Sequence, residues 1–210
     1  MKHFTLKISL IFFILSSCNN ENDKIEIYLT EKQIETKEGI PIEIAFKGNK
    51  SAEYTLERYK NKSVRYDTIK KDFVYFGKFK AEKKDLQKKP IIEDAEIIGY
   101  DLKNSLIYLS ESGMKKISKL HLNEKDNYGR QFVVCINNKP YIFGYFVNEL
   151  TSFWPNTYEI GFIPNVDRST KNPKEKYDYI FTFGKKFRSL DSLNETELIK
   201  ALKLSNRIIK

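Results

Sequence analysis

Apolar and polar residues alternate in KIEIYLT (24–30), placing Ile25, Ile27 and Leu29 on one face and predicting a strand. IPIEIAF (40–46) alternates likewise at Ile40, Ile42, Ile44 and Phe46 and predicts a second strand, broken by Gly48-Asn49. SVRYDTIKKDFVYFGKF (63–79) predicts a hairpin: Val64, Tyr66 and Thr68 alternate, the chain turns near Lys70–Asp72, and Phe73–Phe79 returns. Residues 81–87 suit a helical turn closed by Pro90. DAEIIGYDLKNSLIYLS (94–110) predicts a second hairpin with its turn at Lys103-Asn104-Ser105.

The period then changes. Met114, Ile117 and Leu120 recur at helical spacing, and Ser110 or Ser112 can cap the first turn, so a helix is expected at about 111–122. GRQFVVCINNKPYIFGYFVN (129–148) carries two β-branched and aromatic runs around Asn137-Asn138, a pair that tolerates positive φ. It is the strongest hairpin signal in the chain. A loop with Trp154, a short strand YEIGF (158–162), a proline-bearing linker (163–175) and a strand-like YDYIFTF (177–183) follow. The closing helix is expected at about 194–209, with Asn194 and Glu197 spaced as a capping box and an apolar stripe from Leu198 to Ile209. The fold class is α+β with a mostly antiparallel sheet.

The strand YIFGYFVN is apolar on both sides. Tyr141, Phe143, Tyr145 and Val147 face one way; Ile142, Phe146 and the gap at Gly144 face the other. One face is expected to pack on the 111–122 helix. The other must meet the N-terminal strands, the closing helix or a partner. Tyr141, Phe143, Tyr145 and Trp154 are therefore the candidate interaction surface, with covered core as the competing reading.

The first twenty residues change the picture. Lys2 and Lys7 form a basic leader, ISLIFFIL (8–15) an apolar run, and Ser16-Ser17 a small spacer before Cys18. The run is far short of the roughly 20 apolar residues that span a bilayer. Leu15-Ser16-Ser17-Cys18 resembles a bacterial lipobox, which implies that Cys18 is acylated and becomes the first residue. Asn19 stands where inner-membrane retention signals place Asp, so the expectation is a lipid-anchored envelope protein on the outer membrane, its periplasmic or surface face left open. The regions expected are a signal peptide (1–17), a tether (18–24), a β-rich part (25–93), an α+β part (94–162), and a linker, strand and closing helix (163–210).

Losing residues 1–17 removes two lysines and no acid, which lowers the net charge from +9 to about +7. A basic exported chain suits anionic lipid, acidic polysaccharide or an acidic protein, and export argues against nucleic acid. With Cys18 acylated, Cys135 has no disulfide partner and reads as a small apolar residue in FVVCI. His121 is the one histidine left, which is too few for a zinc site with Cys135 alone. No phosphate loop, nucleophile elbow or His-Glu-x-x-His pair is present. Glu93, Asp94 and Glu96 cluster before a strand, but three acids among 28 need no catalytic explanation. No enzyme activity, cofactor or metal is expected.

The order of SLIYLS, a helix opening at Ser112-Gly113-Met114, Gly129 before an apolar strand, a turn at Asn137-Asn138-Lys139 and a closing YEIGF resembles the head, or first periplasmic, domain of SecD, the Sec-translocon accessory protein. The resemblance covers about residues 94–162. It implies an α+β domain that binds protein or peptide and brings no catalytic residue. SecD's membrane helices and proton-coupling acid have no counterpart in this chain, so proton-driven translocation is not implied. The expected partner is an envelope or exported protein. The alternative is a structural or inhibitor/immunity-type envelope lipoprotein, and a hydrolase is the least favoured class.

Overall fold

The computed structural model describes residues 23–49, 52–59, 64–102, 106–120, 129–148, 157–162, 181–182 and 192–209. In chain order the elements are β1 (Ile25–Leu29), β2 (Ile40–Pro41), α1 (Ile42–Ala45), α2 (Glu53–Tyr59), β3 (Arg65–Asp67), β4 (Asp72–Val74), β5 (Ile97–Asp101) and β6 (Leu106–Leu109). Then follow α3 (Glu111–Ser118), β7 (Arg130–Ile136), β8 (Lys139–Asn148), β9 (Tyr158–Phe162), β10 (Phe181–Thr182), α4 (Ser192–Leu204) and β11 (Ile208–Ile209). The α+β class is as expected. Among the described residues three sheets form, in the orders β1-β7-β8-β9-β10, β11-β5-β6 and β2-β3-β4. Pairing is antiparallel except for β8 with β9 and β11 with β5. No helix among the described residues is long and apolar enough to cross a membrane.

The β7–β8 hairpin is the centre. Asn137 and Asn138 take φ of 50° and 62°, the two left-handed positions that a tight two-residue turn requires. Both faces of the hairpin are buried. Phe132, Val134, Ile142 and Phe146 join Ile25 and Ile27 of β1, Met114 and Ile117 of α3, and Leu198, Ala201 and Leu202 of α4. On the reverse face Val133, Cys135, Tyr145 and Val147 pack on Phe76, Phe79, Ala81 and Leu86. Gly144 leaves room for the Phe132 ring: a Cβ there would lie 2.5 Å from the ring's Cζ and 2.5 Å from the Tyr158 carbonyl oxygen.

The free edge of β1 is covered by an irregular strap. Ile27 exchanges backbone bonds with Ile91 and Ile92, Gln87 N–H donates to Leu29 O at 2.9 Å, and Glu31 N–H donates to Asp85 O at 2.8 Å. Pro90, which has no N–H, interrupts the strap and keeps it from presenting a new ladder edge.

Several local expectations are corrected. The alternation at 40–46 is not one strand. Pro41 ends β2 with φ −52° and the chain enters a helical turn, so Ile42 is buried and Ile44 rotates out to 63% exposure. Two residues of helix turn a side chain through about 200°, so an alternating pattern no longer describes one face. The return strand after Lys71 stops at Val74, because Phe76 and Phe79 leave the ladder to enter the core. The 94–110 hairpin opens with a 3-10 turn at 94–96, and its turn at 103–105 lies outside the described residues. Ser110 caps α3 by accepting from Gly113 N–H, but the helix ends at Ser118; residues 121–122, with His121, lie outside the described residues.

The closing helix begins at Ser192, which puts Asn194 inside the first turn instead of at the cap, and ends at Leu204. Asn206, at φ 54°, terminates it. Arg207 N–H donates to Leu202 O at 2.8 Å and Asn206 N–H to Lys203 O at 3.1 Å, the paired bonds of a left-handed helix stop. Ile208 and Ile209 then form β11 and do not continue the stripe.

Phe146 is fully buried against Phe132, their ring centroids 5.1 Å apart, whereas Phe143 is half-buried at the margin of the other cluster. Phe146→Ala should cost about 3–5 kcal/mol and Phe143→Ala clearly less. Denaturant melts of the two variants give the comparison; equal losses would contradict this placement of the hairpin.

Candidate functional site

The aromatic strand does not form the surface that its sequence suggested. Tyr145 is 1% exposed. Its hydroxyl donates to Gly77 O at 2.7 Å, and Phe76 and Phe79 meet its ring edge-on at centroid distances of 5.2 and 5.3 Å. Burial pushes the phenol up to about 12. Phe143 lies against Phe79 at 5.8 Å. Tyr141 leaves the alternation altogether. The register slips between Val134 and Cys135, so Tyr141 is the extra residue of a bulge and packs with the α3–α4 side of the sheet. Tyr145 is therefore core, and Tyr141, Phe143 and Tyr145 do not share one exposed face. Trp154 and Cys18 lie outside the described residues.

Cys135 is buried among apolar side chains. Burial first, and the Glu26 carboxylate second, push its thiol up to about 12, so it stays a protonated core group at neutral pH.

The acidic trio before β5 acts as a clamp. Asp94 Oδ1 accepts from Ile25 N–H at 2.7 Å and meets Arg207 Nη2 at 2.8 Å, and Arg207 also donates to the Asp94 and Asp23 carbonyls. Glu96 accepts from Lys116 Nζ at 2.8 Å, Ser112 Oγ at 2.8 Å and Glu93 N–H at 2.9 Å. Burial alone would raise the Glu96 carboxyl. The Lys116, Glu93 and Ser112 donors outweigh it and hold the group below its usual value. Among the described residues no cluster of His, Cys, Asp or Glu could hold a metal ion.

Two open features are left. The first is a cleft of about 790 Å³ beside β1, lined by Tyr28, Cys135 and Asn138 and by Lys83, Lys84, Lys88 and Lys89. The sequence displays these lysines as two separate pairs. The 3-10 turn at 83–85 and the strap along β1 bring them to one cleft. The second is the lobe of β2, β3, β4, α1 and α2. Phe46, Tyr59, Tyr66, Phe73 and Tyr75 form a continuous ring cluster there, with closest centroids of 4.8 Å between Phe46 and Tyr66. Around it Ile44, Tyr54 and Ile69 are exposed at 63%, 74% and 91%. No periodic signal marked Tyr54 or Ile69, which lie on a short helix and in a turn, and the alternation that included Ile44 assigned it to a strand face.

No protein-family model, curated protein or solved structure matches the chain.

Because the folded Glu96 carboxyl is depressed, its stabilisation is present above the unfolded carboxyl value of about 4.3 and is lost as pH falls through the folded value. Glu96→Gln should lower stability at pH 7 and flatten the fall in melting temperature below about pH 4.3. An acid limb as steep as that of the unsubstituted protein would remove this role from Glu96.

Proposed function

We propose that this chain is a lipid-anchored cell-envelope protein, held in the membrane through an acylated Cys18, whose α+β domain binds an envelope or exported protein or peptide. The observation that carries the reading is the ordered leader: two lysines, the apolar run 8–15, then Leu15-Ser16-Ser17-Cys18. A thiolate at that place is the nucleophile that lipid attachment needs. Stable anchoring takes more than one acyl chain, which a diacylated cysteine provides. Asn19 favours the outer membrane. The resemblance of residues 94–162 to the SecD head domain supports the partner class. The succession of β6, α3, the β7–β8 hairpin and β9 is compatible with that resemblance.

The binding surface belongs on the β2–β4 lobe. Tyr54 and Ile69 offer large apolar side chains to solvent beside a half-buried aromatic cluster. Aromatic anchors with an apolar surround are the usual composition of an interface centre. Tyr145 and its neighbours are occupied by the protein's own core and have no such freedom.

Two measurements separate the parts of this reading. Cys18→Ala should release the protein from the membrane fraction or stall its processing at the precursor mass; membrane fractionation at the mature mass would remove the anchor. Tyr54→Asp with Ile69→Asp should leave the melting temperature unchanged, since both side chains are solvated, and should abolish a partner co-purified from detergent-solubilised membranes. Retention of that partner by the double variant would move the binding surface off this lobe.

A further inference from the structure

We propose that the lysine-lined cleft beside β1 is a second membrane contact, taking the anionic phospholipid headgroups of the bilayer that holds the Cys18 lipid. The proposal rests on the lipid-anchor reading and adds an orientation to it. Chain length supplies the first argument. Asp23 lies five positions after Cys18, and an extended chain covers at most about 3.6 Å per residue, so Asp23 stands within about 18 Å of the acylated residue.

The second argument is where that tether enters the fold. Asn137 Nδ2 donates to Asp23 Oδ1 at 2.6 Å, and Lys24 is bonded at both its N–H and its carbonyl to Asn137. The neighbouring residue, Asn138, lines the cleft. One end of the cleft thus lies beside the point where the tether joins the domain, and it cannot be carried far from the membrane.

Charge is the third argument. Lys83, Lys88 and Lys89 are exposed, and no acid among the described residues lies within ion-pair distance of them. Lys84 is paired with Glu82 at 2.8 Å, and Glu31 is the one acid that lines the cleft. Asp85 spends its carboxylate on the Glu82 N–H at 2.8 Å. Lys139, exposed at the start of β8 next to Asn138, is a further cation on this side. A short tether lets this cluster of ammonium groups approach the bilayer to within a Debye length of about 8–10 Å, the range in which they attract anionic headgroups. An acidic peptide would meet the same charges, but nothing tethers such a peptide at this end of the domain.

The test uses the chain from residue 18 with Cys18→Ser, which carries no lipid and retains every described residue. It is mixed with phosphatidylcholine vesicles, plain or doped with phosphatidylglycerol, and the bound fraction is read by sedimentation. The expected result is at least about tenfold more partitioning into the anionic vesicles at low salt, lost at about 1 M salt where the Debye length is about 3 Å. Changing Lys83, Lys84, Lys88 and Lys89 together to Gln should remove the preference. Changing Lys37, Lys47, Lys119 and Lys200 to Gln, an equal loss of charge from positions that do not line the cleft, should keep it, with both variants melting as the parent does. Equal loss in the two variants, or binding of polyglutamate with none of the anionic vesicles, would overturn the proposal. Because the tested chain has no acyl group, a failed anchor and a failed cleft give different results.

Discussion

Burial of the β7–β8 hairpin on both faces is the constraint from which the rest of the fold follows. Strand pleating sends Phe132, Val134, Ile142 and Phe146 to one side and Val133, Cys135, Tyr145 and Val147 to the other, and both sets are apolar. A sheet of this composition needs a cover on each side. The chain supplies α3 and α4 for one face and the 76–86 segment for the other. The second cover has little regular structure, yet it brings Phe76, Phe79 and Leu86 to the sheet. Large rings reach across where the backbone does not lie flat.

A sheet with both faces covered is still exposed at its edges, and the charged residues manage that problem. The 85–92 strap occupies the outer edge of β1 with backbone bonds, and Pro90 keeps the strap irregular. Arg207 then joins the segment after α4 to the start of β1. It meets Asp94, which also receives the Ile25 N–H, and it reaches the Asp23 carbonyl. The buried Glu96 carboxylate is compensated by one lysine, one hydroxyl and one backbone donor. These acids are therefore held by folding partners, in positions where a proton-transfer role would compete with their structural bonds.

What is left for function lies outside the two cores. The open lobe carries exposed apolar groups, and the β1 edge carries clustered ammonium groups beside Asn138, next to the Asp23–Asn137 contact. The two surfaces differ in chemistry, one apolar and aromatic and the other cationic. Their separation along the chain follows from the folding requirement: the central hairpin had no free face to give.

Long, periodic or self-contained signals were legible in the sequence alone. The β7–β8 hairpin, the Asn137-Asn138 turn, the start of α3 at Ser110 and the burial of Cys135 each depend on a few adjacent residues or on a pattern repeated over a whole element. The leader and Cys18 are also motifs of adjacent residues, but they lie outside the described residues and the lipid anchor read from them is a proposal. Tertiary structure alone decided the remainder. Ile42 and Ile44 part company because Pro41 turns the backbone into a helix, and Ile208 leaves its stripe because β5 offers an open edge after Asn206 reverses the chain. Whether Tyr145 is surface or core depended on Phe76 and Phe79, which lie more than sixty positions away in sequence. The lysines of the cleft are exposed and without period. They carry no positional signal until backbone bonds along β1 bring Lys83 and Lys89 to one site, and that convergence is a property of distance in space, which a linear pattern does not encode.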